Sequence, residues 1–545
     1  MNFISRGTII KTKILGRGPI MNDRISIRGL ITQFDHLKLK LAMQGILVGI
    51  ASGFMVVFYR MILEKAEHIR QLITLNQPLW MIGGWFILLV LAALFVGRLM
   101  IKDPMICGSG IPQVEGVLAN KLNMNPVSVL IRKFIGGTLC IGAGLSVGRE
   151  GPSIQLGAAT AQWMSRLFKR PNIEEKYLIT SGASAGLAAA FNAPLAGVMF
   201  SLEEVHKHFS PLILVSAMSA SLTADFISKH FFGLKPVFQF NRLEAIPLTS
   251  YGLIVILGII TGLCGVFYNK ITEKTLDTYD SMTWLKKQYR PIIPFLMAGV
   301  LLFMLPEVLG GGHSLVESLT EGNFTIAFIL ILLMSKFIFS MISFGSSVPG
   351  GIFFPLLVLG ALTGALFGNV LSFYFGIDEQ FIQNFIILAM AGYFTAIVRA
   401  PMTGIILITE MTGSFSHLLS LSLISLISYT VAELFRSEPI YETLLHRILK
   451  GSQTDSNDAL CETKTLLEVP IFFDSFIDGK CVKDLALPEN CLLVSVKRGN
   501  EEIIPRGNTL LHSGDILIVL VSESVAGTIR DDLLTYCDST HIKTA

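Results

Sequence analysis

Hydrophobic and polar positions alternate along this chain on a long scale, with apolar blocks separated by short polar breaks. Five blocks are long and nearly free of charge: residues 41 to 59, 80 to 97, 251 to 267, 324 to 344 and 418 to 435. About 20 apolar residues cross a bilayer, so each predicts a spanning helix. Between them lie apolar pieces that are short or broken by Gly and Pro. Irregular backbone at membrane depth persists only where protein or a wet cavity satisfies its polar groups, so a polar pathway is expected inside.

Beyond residue 450 the pattern changes. A polar stretch, 451 to 463, reads as a linker, and strand-like runs follow: VPIFF, CLLVSVKRGNEEIIP folded about Arg498-Gly499-Asn500, and DILIVLVS. The expected organisation is an N-terminal segment 1–40, a membrane domain 41–450 and a small domain 464–545.

Composition supports this division. The 545 residues are 52% hydrophobic and only 15% charged, far more apolar than a soluble core requires. The net charge of +3 hides a split. Residues 451–545 carry eight Lys/Arg and fifteen Asp/Glu, net −7, against 35 and 25, net +10, before them. Eight Lys/Arg in the first 40 residues, against Asp23 and Asp35, predict a cytoplasmic N-terminus and no cleaved signal peptide. Seven cysteines form no CxxC pair, so neither a disulfide nor a zinc framework is indicated.

The membrane part repeats itself. Gly110-x3-Val114-Glu115 returns as Gly312-x3-Val316-Glu317, offset by 202. Pro152-x4-Gly157-Ala158 returns as Pro355-x4-Gly360-Ala361, offset by 203, and Ala193-Pro194-x2-Gly197-x5-Glu203 as Ala400-Pro401-x2-Gly404-x5-Glu410, offset by 207. Two copies, about 60–240 and 250–450, are implied. Duplicated halves with Gly/Pro-interrupted segments point to a transporter whose site lies where the copies meet. Spacing leaves open whether the copies are parallel or inverted.

The interrupted segments are GSGIPQVEG (108–116), GREGPSIQLGA (148–158) and GSSVPGGIFFPLLVLGA (345–361). Each reads as the start of a helix, with Gly for unusual backbone angles and Pro tolerated in the first turn. A helix start carries unpaired N–H groups and partial positive charge, so several converging at mid-membrane would hold an anion without a full cation. Glu150 sits in such a start. Ionised, it would occupy the anion position itself, and protonation would release it, so one residue could both gate anions and carry protons.

Together, GSGIPQVEG, GREGP and GGIFFP in this order resemble the three signature segments of the CLC chloride channel and transporter family, over about residues 40–450. The resemblance implies an all-α polytopic membrane protein of tilted and broken helices in two inverted repeats, forming a homodimer with a pore in each subunit. It assigns chloride contacts to the Ser109 hydroxyl, the Ile352 and Phe353 backbone N–H groups and the Tyr441 hydroxyl. Glu150 resembles the external gating glutamate. Glu204, in LAGVMFSLEEVHKHF, falls where exchangers place an internal proton-transfer glutamate, and this favours H+/Cl− exchange over a passive channel. Ser109 favours chloride over fluoride or nitrate. The implied location is the inner (plasma) membrane with both termini cytoplasmic.

The tail from about 464 to 545 is similar to the TrkA-C domain of RCK proteins, in place of the paired CBS domains of other family members. It implies a small α+β domain that dimerises and can take a small ligand, a cyclic dinucleotide being one type. Neither an enzymatic activity, a cofactor nor a nucleic-acid partner is expected, with chloride as cargo. A membrane-embedded enzyme built on Glu150 and Glu204 is disfavoured, because no metal-ligand set or nucleophile with an adjacent base appears. The GxGxxxG of Gly142, Gly144 and Gly148 lacks the dinucleotide spacing and its preceding strand.

Several other residues read as architectural. Arg149 reads as a partner of carbonyls or carboxylates, and Glu115, Glu203, Glu317 and Glu410 as supports of packing and helix ends. His206, Lys207 and His208 read as a solvated turn.

Overall fold

The computed structural model describes residues 27–545 except 74–77, 208, 235, 239–245, 322–323, 454–463, 473–474, 486, 489–490, 500, 523–528, 530–531, 535–536 and 538–545. Side chains are described from residue 38, and not at 173 or 451–453. The basic cluster from Arg6 to Arg24, most of the linker, His208 and Asn500 therefore lie outside the described residues. The chain forms two compact units, Met1–Lys450 and Gly451–Ala545.

The first unit is helical throughout. Its first half runs α1 (Ile27–Gln71), α2 (Leu79–Lys102), α3 (Ile111–Leu118), α4 (Pro126–Gly142), α5 (Glu150–Leu167), α6 (Asn172–Phe191), α7 (Pro194–Phe200) and α8 (Pro211–Phe232). The second runs α9 (Tyr251–Ser281), α10 (Ile292–Met304), α11 (His313–Glu321), α12 (Ile326–Gly345), α13 (Phe353–Phe375), α14 (Ile382–Val398), α15 (Pro401–Thr412) and α16 (Leu418–Leu434), before α17 (Ile440–Gln453). The elements correspond in order, α1 with α9 through α8 with α16. Proline in the first turn of α3, α4, α7, α8 and α15 starts each helix where its missing N–H costs nothing.

All five expected spans coincide, to within two residues at an end, with helices long and apolar enough to cross a membrane. Three more such helices, Pro211–Phe232, Phe353–Phe375 and Glu379–Val398, occupy stretches that read as too short or too broken. The last two are mostly buried in protein, whereas Leu79–Lys102 is mostly exposed to the surroundings. Small residues in buried helices are packing surfaces rather than breaks. A Cβ on Gly157 would lie 2.1 Å from the Gly182 carbonyl oxygen, so α5 and α6 touch backbone to backbone. A Cβ on the equivalent Gly360 would lie 2.9 Å from the Ala389 carbonyl oxygen of α14.

Contacts between the halves are reciprocal. The Gly108 N–H donates to the Ser347 carbonyl (3.1 Å), and 202 residues later the Gly310 N–H donates to the Gly144 carbonyl (2.8 Å). Glu203, after α7, accepts from the N–H groups of Met402 and Thr403 at the start of α15 (3.2 and 2.8 Å). Glu410, within α15, accepts from Leu195 and Ala196 at the start of α7 (3.1 and 2.8 Å). Such mutual pairing is the mark of a two-fold operation. Because it sets α7 and α15 head to tail, the copies are inverted. Both glutamates thus serve the helix ends expected of them.

The second unit is a four-stranded antiparallel sheet of order β1-β4-β2-β3, with β1 (Lys464–Pro470), β2 (Cys491–Arg498), β3 (Glu501–Ile503) and β4 (Asp515–Ser522). Strand β1 begins before VPIFF and ends at Pro470, while β2 and β3 pair across the expected turn. Val469, Val496, Leu517, Val519 and Leu533 form its core.

Buried Asp515 accepts from Arg498 Nε and Nη2 (2.8 and 2.7 Å) and from the His512 N–H (2.9 Å). The Arg498 hydrogen bonds hold its carboxyl below the ordinary aspartate range. Its stabilising contribution is therefore complete above that range and fades as pH falls through it and below. Asp515→Asn should lower the stability of this unit at neutral pH by about 1.5–3 kcal/mol, the usual worth of charged hydrogen bonds. It should also flatten the acid limb of the unfolding curve. An unchanged acid limb, followed by circular dichroism, would contradict the assignment.

Candidate functional site

Three helix starts meet at the centre of the first unit. Strand-like pairing of Gly148 with Gly351, through N–H···O contacts of 2.6 and 2.8 Å, locks the segment before α5 to the segment before α13. A Cβ on Gly151 would lie 2.5 Å from the Ser109 hydroxyl oxygen, so the first turn of α5 presses on the segment before α3. Gly110, the residue before α3, has φ +97°, a backbone turn that glycine makes without strain. The sequence reading of these three segments as helix starts agrees with the structure: α3 begins at Ile111, α5 at Glu150 and α13 at Phe353.

Ser109 is buried, and its hydroxyl oxygen has no hydrogen-bond partner. The Tyr441 hydroxyl, in the first turn of α17, is likewise buried and unpartnered. Edge-to-face contacts connect the Tyr441 ring to Phe200 (6.3 Å) and Phe200 to Phe353 (5.6 Å), which links α17 to the start of α13. Ile352 and Phe353 are buried at the head of α13, the end that offers free N–H groups.

The Glu150 carboxylate accepts from the Phe354 N–H at the head of α13, while its Oε2 has no hydrogen-bond partner. Arg149 Nε stands 4.0 Å from Oε1. This carboxylate occupies the kind of position an anion would take at a helix start.

Glu204 lies on a π-helical turn, Ser201–Val205, that continues α7. It is buried and its Oε1 is unpartnered. Lys207, Glu115, Glu442 and Glu203 are the charges that bear on it. Lys207 is exposed in the turn expected of it, and its Nζ also lies 2.6 Å from Glu115 and 3.9 Å from Glu442. Glu115 therefore serves an ion pair beside Glu204 rather than a helix end. His206 is held through Nδ1 to the Thr180 hydroxyl (2.9 Å), and Glu317 lies 3.5 Å from His313.

Two lysines escaped the sequence reading. Lys133 Nζ donates to the carbonyls of Ile106 and Gly108 (2.9 and 2.7 Å), fastening the loop that carries Ser109. Lys336 Nζ donates to Val308 and Gly310 (2.8 and 2.7 Å) in the other half. Both ammonium groups are fully buried. The signal was present: Lys-Phe-Ile recurs at 133–135 and 336–338, at the 203-residue offset of the repeat.

The family model described as voltage gated chloride channel matches residues 90–433, well over half of the chain. The chain belongs to this family. In the voltage gated chloride channel family the protein is an ion transporter, not an enzyme, and an integral membrane protein. A TrkA-C domain matches residues 466–534, a kind of domain associated with small-ligand binding.

The H(+)/Cl(−) exchange transporter ClcA of Vibrio campbellii is 32% identical over 466 residues, covering 84% of this chain and 98% of that protein. The transporter of the same name from Vibrio cholerae is 33% identical over 449 residues, 79% and 95%. The crystal structure of a slow cyanobacterial Cl−/H+ antiporter superposes with a TM-score of 0.72 at 29% identity, covering 76% of this chain and 99% of that one. A CLC-type fluoride/proton antiporter shares the fold, with a TM-score of 0.63 at 22% identity over 74% and 97%.

Proposed function

We propose that this family member is a secondary active exchanger of chloride for protons, working as a homodimer with one pathway per subunit. Both termini face the cytoplasm across the inner membrane. Chloride is held by the Ser109 and Tyr441 hydroxyls and the N–H groups of Ile352 and Phe353. The observation that carries the reading is a pair of buried, incompletely partnered carboxylates, Glu150 and Glu204, both of which bear electrostatically on Tyr441. A buried carboxylate left without partners is costly and is retained for function.

In this mechanism the ionised Glu150 competes with chloride for the helix starts. On taking a proton it leaves them free, and the anion enters. Glu204 loads and unloads that proton from the other side, beside the Lys207–Glu115 pair. The membrane domain spans 41–450, followed by a linker to 463 and a regulatory domain, 464–545. A small ligand, of which a cyclic dinucleotide is one type, acts on that domain. The apolar cavity lined by Ile477, Leu517 and Leu533 in this unit, about 20 Å³, is too small to take a dinucleotide.

The test is transport by protein reconstituted in vesicles with pH followed simultaneously. A chloride gradient should drive protons uphill, and Glu204→Gln should abolish this while chloride still moves. Chloride flux that never moves protons uphill in the parent would overturn exchange in favour of a passive channel. Faster flux of fluoride or nitrate would overturn the choice of anion.

A further inference from the structure

A polar cavity, of about 400 Å³, lies among the loop after α3, the last turns of α5 and the first turns of α6. Its lining brings together three cations, Lys121, Arg166 and Lys176, against one acid, Glu175. Glu175 is already engaged by Gln162 Nε2 (3.1 Å) and Arg166 Nε (3.4 Å). Among the described residues neither Lys121 nor Lys176 has a carboxylate within ion-pair distance. The cavity thus presents excess positive charge in a space far larger than a halide needs.

Trp163, Leu167 and Phe168, on the same end of α5, are exposed apolar side chains, the pattern of a helix end at headgroup depth.

We propose that this cavity binds a phosphate-bearing group, the phosphate meeting Lys121, Arg166 and Lys176. That chemistry belongs to the headgroup of an anionic phospholipid such as phosphatidylglycerol and to a soluble phosphate ester such as glycerol phosphate. Phosphatidylcholine carries no net negative charge, and its choline cation meets the same excess of positive charge.

The experiment uses the full-length protein in two arms. In one, delipidated protein in detergent is titrated with glycerol phosphate. In the other, protein from nanodiscs of mixed phosphatidylglycerol and phosphatidylcholine is weighed by native mass spectrometry for retained lipid. Binding in the lipid arm alone identifies a headgroup site, and binding in the soluble arm alone a site for free esters. Either result supports the proposal if Lys121→Gln/Lys176→Gln and, separately, Arg166→Gln weaken it about tenfold, ~1.4 kcal/mol, while Lys270→Gln on exposed α9 does not. Absence of binding in both arms, equal retention by parent and variants, or no preference over phosphatidylcholine would overturn it.

Discussion

Glu150→Gln is expected to abolish uphill proton movement altogether while leaving chloride flux within about tenfold of the parent, a change of at most ~1.4 kcal/mol in the barrier. Glutamine matches glutamate in shape, and its amide oxygen can still accept from the Phe354 N–H that the carboxylate meets at the head of α13. What it lacks is charge and an exchangeable acid proton. A neutral side chain no longer competes electrostatically with chloride for the helix starts of α5 and α13, so the anion path stays open at every pH. Acid-dependent gating of chloride flux should vanish along with coupling. Simultaneous recording of chloride and pH in vesicles checks both, and a variant that still pumps protons against their gradient would show that Glu150 is not the carrier.

The repeat and the three helix starts were legible because each rests on residues whose backbone behaviour is local. Gly110, Pro112, Pro152 and Pro355 declare a turn and a first turn whatever surrounds them. The spans α8, α13 and α14 were not legible as such, because Ser216, Ser221 and Asp225 in α8 and Gly360, Gly364, Gly368 and Gly392 in α13 and α14 read as breaks, whereas in the fold they are places of helix packing. The Lys207–Glu115 pair was hidden for a different reason. Its partners are 92 residues apart and meet only once α3 packs beside the turn after α7. The inverted relation of the copies came only from the family resemblance, since direction through the bilayer is not written in spacing. It emerges from paired observations such as Glu203 on α15 and Glu410 on α7.

Inversion also makes an internal control available, because Lys133 and Lys336 do the same work in opposite halves with different surroundings. Methionine in place of either preserves length and apolar volume while deleting the ammonium donor. After Lys133→Met the Gly108 carbonyl still accepts from the Gly350 N–H (3.0 Å), so Ile106 loses its partner and Gly108 keeps one. After Lys336→Met both Val308 and Gly310 lose the donor that serves them. Each buried carbonyl left unsatisfied costs roughly 1–3 kcal/mol, which makes Lys336→Met the more destabilising by about one such increment. Function should rank the other way. Gly108 adjoins Ser109, so loosening its loop weakens chloride binding by roughly tenfold, ~1.4 kcal/mol, whereas Gly310 adjoins Gly311, the counterpart of Ser109, which has no hydroxyl to offer an anion. Unfolding midpoints in detergent and chloride titrations of the two variants measure these orders independently. If the same lysine dominated both, the two loops would not have divided their duties between holding the fold and holding the ion.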